Sequence, residues 1–479
     1  MGLHLAAIFN DNMVLQRDVP VPLWGSAPAG AAVAAELDGP PIRTAAGADG
    51  FWRLDLPAGP AGGPYVLTVR CGGETCRLKQ VYRGEVWLAG GQSNMELPLS
   101  RSENGGEAVR DSEDPRLHVC TVPRATQEPP EDLFWTTVAP ANAGELSAVA
   151  YYAGRTLAEH LPDIHVGVIV CCWGATYAHC WISREALLAF PEGAKRVRDY
   201  DERIGDKPDA VFEREQADYQ KALDAWNACP DGPYPWPPPA GRTSFHCPGN
   251  LYRAMVRPLA PYALRGFWYY QGEQDGEWPE DYYVLLASLI RLWRRDWGDE
   301  EKPFLLLQLP MFISKEDALS GDPMRWPVLR KAQADAARDL PGVELAVLAD
   351  CGEFDNVHPL DKYTPGRRLG LLALEAVYRQ PVCGRPPVCV AARREGSDVL
   401  LAFAHTGGGL TLDGGGFQLA GGDGVFYDAN AEIAAPDTVR VSAPGVPAPE
   451  AVRYAWYSYG PAGLHGGTGL AAAPLEIHL

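Results

Sequence analysis

EVWLAGGQSNMELPL, residues 85–99, sets an apolar run against a turn made of two glycines, a glutamine, a serine and an asparagine. The apolar half reads as a buried strand and the polar half as a strand-to-helix turn. Two readings of Ser93 follow. Either it caps the helix that begins there, or its hydroxyl is a nucleophile presented at the end of a strand. The strands around it decide what such a turn is for.

Between residues 82 and about 380, strand-like apolar runs (EVWLA, HVGVIVCCW, LRGFWYYQ, FLLLQLP, VELAVLAD) alternate with amphipathic patterns such as SAVAYYAGRTLAEHL and DYYVLLASLIRLWRRDW. Continuous apolar strands separated by helices indicate a parallel sheet covered on both faces. Residues 1–80 differ, with short alternating segments (VPVPLWG, AAVAAEL, YVLTVRC) between Pro/Gly turns; residues 383–479 return to that pattern with VLLAFAH, LTLDG, GFQLAG, VRVSA and AVRYAWY. Both ends read as antiparallel β-sandwich domains. The expected organisation is an N-terminal β-domain at 1–80, an α/β domain at 81–382 and a C-terminal β-domain at 383–479. An insertion at about 193–250 interrupts the α/β scheme. AVFEREQADYQKALDAWNA reads as one helix, and CPDGPYPWPPPAGRTSFHCPGN as a Pro-rich loop whose aromatics suit the lining of a site.

A chain of 479 residues is long for one core, so roughly two to four domains are expected. The formal charge of −19, without a basic run, disfavours nucleic acid as a partner. No apolar stretch approaches the roughly 20 residues that span a bilayer, so no membrane partner is expected. The chain opens without a basic segment ahead of an apolar one, and its 11 cysteines do not pattern as a disulfide framework. A cytoplasmic, reduced setting is the expectation, or a secreted one had a signal been removed. A homo-oligomer is compatible with the β-domains, which are read as an interface or as a sugar platform.

In open parallel sheets, ligands bind beyond the carboxyl ends of the strands. Four strand ends carry polar turns: Gly90-Gly91-Gln92-Ser93-Asn94, Gly174-Ala175-Thr176, Gln271-Gly272-Glu273-Gln274-Asp275, and the segment 351–359 with Asp355 and His358. Serine hydrolysis needs a hydroxyl, an imidazole, a carboxylate that orients it and donors for an oxyanion. All are present. An Asp three residues before a His is able to face Nδ1 of that ring, leaving Nε2 for Ser93. Each piece also has a structural reading: a cap for Ser93, a surface histidine for His358, a turn residue for Asp355, and a polar turn for Gln271 and Glu273.

Taken together, the motifs resemble the sialate O-acetylesterase family of SGNH-type serine esterases, related to acetylxylan esterases. The matching segments are FNDNMVLQRDVPVPLWG, GEVWLAGGQSNMEL, IVCCWGATYAHCWIS, LYRAMVRPLAPYALRGFWYYQGEQD, DNVHPLDKYTPGRRLGLLAL and VRYAWYSYGPAGLHGGTGLAAAPLEI, which span nearly the whole chain. The resemblance implies an SGNH-hydrolase-like α/β/α sandwich with a parallel sheet, flanked by N- and C-terminal β-sandwich domains. It implies Ser93 as nucleophile, His358 as general base and acid, and Asp355 as its orienter. The oxyanion hole it implies uses the backbone N–H groups of Ser93 and Gly174 and the side-chain amide of Gln271. The chain departs from the family's pattern where Gly-Gly-Thr becomes Gly174-Ala175-Thr176, and where Tyr177 to Trp181 replace Pro-Ile-Glu-Ala-Trp.

The implied reaction is hydrolysis of an acetyl ester on an O-acetylated saccharide, with no metal and no cofactor. The substrate-binding candidates are Asn94, Trp173, Tyr177, Trp181, His246, Tyr270 and Glu273; the aromatic rings, with Trp278, would stack on sugar faces, as against packing in the core. Arg253 is a candidate partner for a sugar carboxylate, as against a structural charge. His179 and Cys180 beside Cys171 and Cys172 read as buried packing rather than a metal cluster. Two alternatives stand beside the sialate reading: an acetylxylan or other plant-glycan acetylesterase, and a noncatalytic carbohydrate-binding protein with a vestigial catalytic domain.

Overall fold

The computed structural model describes residues 2–229 and 234–479. Residues 230–233, part of the expected Pro-rich loop, lie outside the described residues. The apolar runs form one parallel sheet in the order Asp114–Thr121, Val166–Cys172, Glu74–Gly91, Gly266–Tyr270, Phe304–Leu307, Val343–Ala346. Trp135–Val138 adds an antiparallel edge beside Asp114–Thr121. The structure is therefore a mixed α/β fold. Neither strand at this edge stood out in the sequence: Asp114 and Arg116 blur the apolar pattern, and buried His118 sits where an aliphatic residue is expected.

The first strand of this order in the chain, Glu74–Gly91, is central. From it the chain fills one side of the sheet, then returns to fill the other, so its carboxyl end lies at the topological switch point where α/β proteins place their ligands. Helices cover both faces. Helix Ala148–His160 packs with Tyr363–Ala376, its Gly154 lying against Leu117 and Val168. On the opposite face, Trp293 of helix Tyr282–Asp296 lies against Gly90, Phe267, Tyr269 and Phe304.

The boundary expected at residue 80 is crossed by a single strand. Glu74–Gly91 pairs with Gly62–Cys71 in its first half and with the parallel strands in its second, so the N-terminal sheet continues into the central one by hydrogen bonds. Glu85, buried at this junction, accepts from Arg17, Gln16, Arg265 and Tyr378. The two arginines hold its carboxyl below the usual range against the opposing effect of burial. Beyond residue 383, antiparallel sheets pack on the α/β body through Ser458 on Asp322, Arg330 on the carbonyls of Ala455 and Tyr457, and His465 on Asp350. The expected helix in the insertion runs from Asp209 to Ala228, after a second helix at Pro191–Ile204. All 11 cysteines are unpaired, and among the described residues no helix is long and apolar enough to cross a membrane.

Candidate active site

The two glycines of the opening stretch are there for space. A Cβ on Gly91, whose φ is +142°, would lie 2.0 Å from the Tyr270 carbonyl oxygen, and one on Gly90 would lie 2.9 Å from the Trp293 ring. Only glycine lets the strand end between those neighbours. The chain then enters a one-turn helix, Ser93–Glu96. Gln92 is its N-cap, and it donates its N–H to the Tyr270 carbonyl while its Oε1 accepts from Gly272 at 3.3 Å. Ser93 is thus the first residue inside the helix rather than its cap.

The freed hydroxyl meets the histidine. Ser93 Oγ and His358 Nε2 are 2.8 Å apart, although 265 residues separate them in sequence. Burial of the His358 ring, then the positive charges of Lys362 and Arg101, hold its pKa below the ordinary histidine value of 6.5.

Asp355 is not in the expected place. Its Oδ1 accepts from the Lys315 N–H at 2.8 Å, its backbone sits at φ +59°, and no hydrogen bond joins it to His358. The carboxylate ties the histidine loop to the helix at Lys315–Ser320 instead. The expected oxyanion donors also differ. The Gly174 N–H donates to Glu96 Oε2 at 2.8 Å, and Gln271 is buried with its amide nitrogen donating to the Thr176 carbonyl and to Asp275. Both donors are spent on the protein itself. Gly174 is nonetheless beside Ser93, since a Cβ there would lie 3.2 Å from Ser93 Cβ. Ala175 follows in the left-handed region at φ +58°. The N–H groups of Ser93 and Ala175 have no acceptor among the described residues.

Several expected sugar contacts prove to be framework. Asn94 is buried; its amide nitrogen donates to Glu273 and to the Val357 carbonyl at 2.9 Å, and its Oδ1 accepts from Lys362 Nζ at 2.7 Å. Glu273 is half-buried with its carboxylate against Asn94, and burial raises its carboxyl pKa. Trp181 and Tyr270 lie in the core, Trp181 donating to Thr176 Oγ1 at 2.9 Å. Arg253 is committed to the carbonyls of Thr126 and Gln127. Trp173, the neighbour of Gly174, is half-buried, stacked on Phe245 with the Arg124 guanidinium 5.3 Å from its ring. Arg124 in turn pairs with Glu96. Tyr177 and His246 line a separate cavity at the insertion. No cluster of three or more His, Cys, Asp or Glu side chains among the described residues is arranged to hold a metal ion.

No family model matches the chain. It is 27% identical over 414 residues to the sialate O-acetylesterase of Mus musculus, covering 79% of this chain and 74% of that protein. Against the Homo sapiens sialate O-acetylesterase the identity is 26%, over 79% of this chain and 72% of the relative. The crystal structure of a carbohydrate acetylesterase from Xanthomonas citri superposes with a TM-score of 0.81 at 31% identity, covering 99% of both chains. The chain belongs to the carbohydrate acetylesterases.

In this member of the family, three residues at the site escaped sequence reasoning. Glu96 stands three places after Ser93 within the motif itself, and Lys362 four places after His358, so each had a positional signal. Arg124 had none, because its partner Glu96 is reached only through the fold.

Proposed function

We propose that the chain is a carbohydrate O-acetylesterase of SGNH-hydrolase architecture that works through an acetyl-serine intermediate. The 2.8 Å contact between Ser93 Oγ and His358 Nε2 at the carboxyl edge of a parallel sheet carries the reading. Neutral His358 accepts the hydroxyl proton as Ser93 Oγ attacks the acetyl carbonyl, and a tetrahedral oxyanion forms. His358 returns the proton to the departing sugar oxygen. Water, deprotonated by the same ring, then attacks the acetyl-serine and releases acetate. The depressed pKa of His358 keeps it in the base form at neutral pH.

The oxyanion is received by the N–H groups of Ser93 and Ala175. Both lack protein acceptors, and the left-handed conformation of an alanine next to the nucleophile is strain of the kind held at functional sites. Glu96 fixes that turn through the Gly174 N–H, and Arg124 neutralises the carboxylate so that it does not oppose the developing oxyanion. Asp355 acts by anchoring the histidine loop. Trp173 forms one wall for the acetylated sugar.

The test is acetate release from O-acetylated sialic acid, acetylated xylo-oligosaccharides and an aryl acetate, by the parent protein and by Ser93→Ala. Release by the parent alone is the expected result, and the preferred glycan chooses between sialate and plant-glycan substrates. A folded protein that releases acetate from none of them is a binding module, and the proposal fails.

A further inference from the structure

The insertion between the strands Val166–Cys172 and Gly266–Tyr270 builds a cavity of about 360 Å³, within the size range of small-ligand sites. Three of its walls are the rings of Tyr177, Trp236 and Trp278. Tyr177 stacks on His179 at 5.0 Å, and Trp236 approaches His246 edge-on at 5.8 Å. His246 Nε2 lies 2.6 Å from the carbonyl oxygen of Ala175, the residue whose N–H is assigned above to the oxyanion. The cavity and the catalytic cleft are therefore separated by one backbone turn.

Its polar groups are incompletely satisfied. His179 Nδ1 and Arg196 Nε and Nη1 are among the buried polar atoms without a hydrogen-bond partner, and they are available to a ligand in this cavity. The Arg196 guanidinium is pressed on the Trp278 ring at 3.8 Å, is paired with Asp281, and has Asp199 at 4.0 Å. Arg203 also lines the cavity, so its two arginines face two lining carboxylates, Asp199 and Glu277, and no net charge favours a phosphate or carboxylate. Aromatic faces beside an imidazole nitrogen and guanidinium N–H groups lacking partners suit a ligand with C–H faces and hydroxyls.

We infer that this cavity is a second saccharide subsite, binding the neutral sugar linked to the one that carries the acetyl group. The inference rests on the esterase reading for that linkage, and the insertion is then the element that distinguishes oligosaccharide from monosaccharide substrates.

Trp236 is exposed, so Trp236→Ala removes one wall without opening the core. Kinetics compare O-acetylated sialic acid with O-acetylated sialyllactose, and O-acetylated xylose with O-acetylated xylotetraose. In at least one series the parent should have the lower KM for the oligosaccharide. Trp236→Ala should raise that KM about tenfold relative to the KM for the matching monosaccharide, the scale of one lost ring contact. A ratio unchanged by the substitution in both series overturns the subsite. Calorimetry of the Ser93→Ala protein with unacetylated xylotetraose and sialyllactose needs no turnover, so it separates failure of the subsite from failure of the esterase reading. Binding that Trp236→Ala abolishes supports the subsite, and binding of neither oligosaccharide overturns it.

Discussion

Asn94 Oδ1, next in the chain to Ser93, accepts a 2.7 Å hydrogen bond from Lys362 Nζ, while the other end of the same amide donates to Glu273 and to the Val357 carbonyl. One side chain therefore joins the serine turn, the strand end at Gly272 and the loop that carries His358. Asn94→Ala would leave the buried Lys362 and the half-buried Glu273 without their shared partner. The expected cost is about 3–5 kcal/mol of stability, typical of breaking a buried charged network. In whatever protein folds, kcat should fall by at least about tenfold with little change in KM, as for a misplaced catalytic pair. Chemical denaturation and steady-state kinetics check both.

The Glu96 carboxylate is expected to matter as an acceptor rather than as a charge. Glu96→Ala frees the Gly174 N–H and loosens the turn that presents Ala175; kcat should fall by up to about a hundredfold, near the lower end of what losing one oxyanion donor costs. Glu96→Gln keeps an acceptor oxygen and should retain most of the activity. Equal losses in the two variants would contradict this role.

How much of this was legible depends on the range of the interaction. The parallel sheet and its polar strand ends were readable because apolar runs such as 166–172 and 304–307 are fully buried and carry their own signal. Ser93 and His358 were readable as motif members. The wrong assignments share one cause. Asn94, Gln271, Glu273 and Tyr270 sit in a polar, site-like stretch of sequence, and whether such a side chain faces the cleft or the framework behind it is set by partners far along the chain: Lys362 for Asn94, the Thr176 carbonyl for Gln271. Asp355 has the right spacing from His358, but its left-handed backbone turns the carboxylate toward Lys315.

That placement of Asp355 gives a prediction. Asp355→Ala should retain activity to within about tenfold, because it removes a loop anchor and not a hydrogen bond to the base; loss of a true orienting Asp typically costs about 10⁴ in kcat. His358→Ala should abolish turnover. Steady-state kinetics with an aryl acetate discriminate the two.

His358 must be neutral to accept the Ser93 proton, so the rate falls as pH drops through its pKa. With that pKa depressed by burial and by Lys362, the acid limb of kcat/KM should lie below pH 6.5. Lys362, itself lowered to about 8 by burial, contributes part of the depression. Lys362→Met removes its charge and should move the acid limb upward. A limb that moves down, or does not move, would contradict the electrostatic assignment.

The central claim is that Ser93 forms a covalent acetyl ester, and the most direct measurement is rapid acid quench of the enzyme during turnover of an aryl acetate, followed by peptide mass spectrometry. Acetylation of the peptide bearing Ser93, at Ser93 itself and absent from the Ser93→Ala protein, is the predicted result. Turnover with no acetyl group on Ser93, or with unchanged turnover in Ser93→Ala, would contradict it.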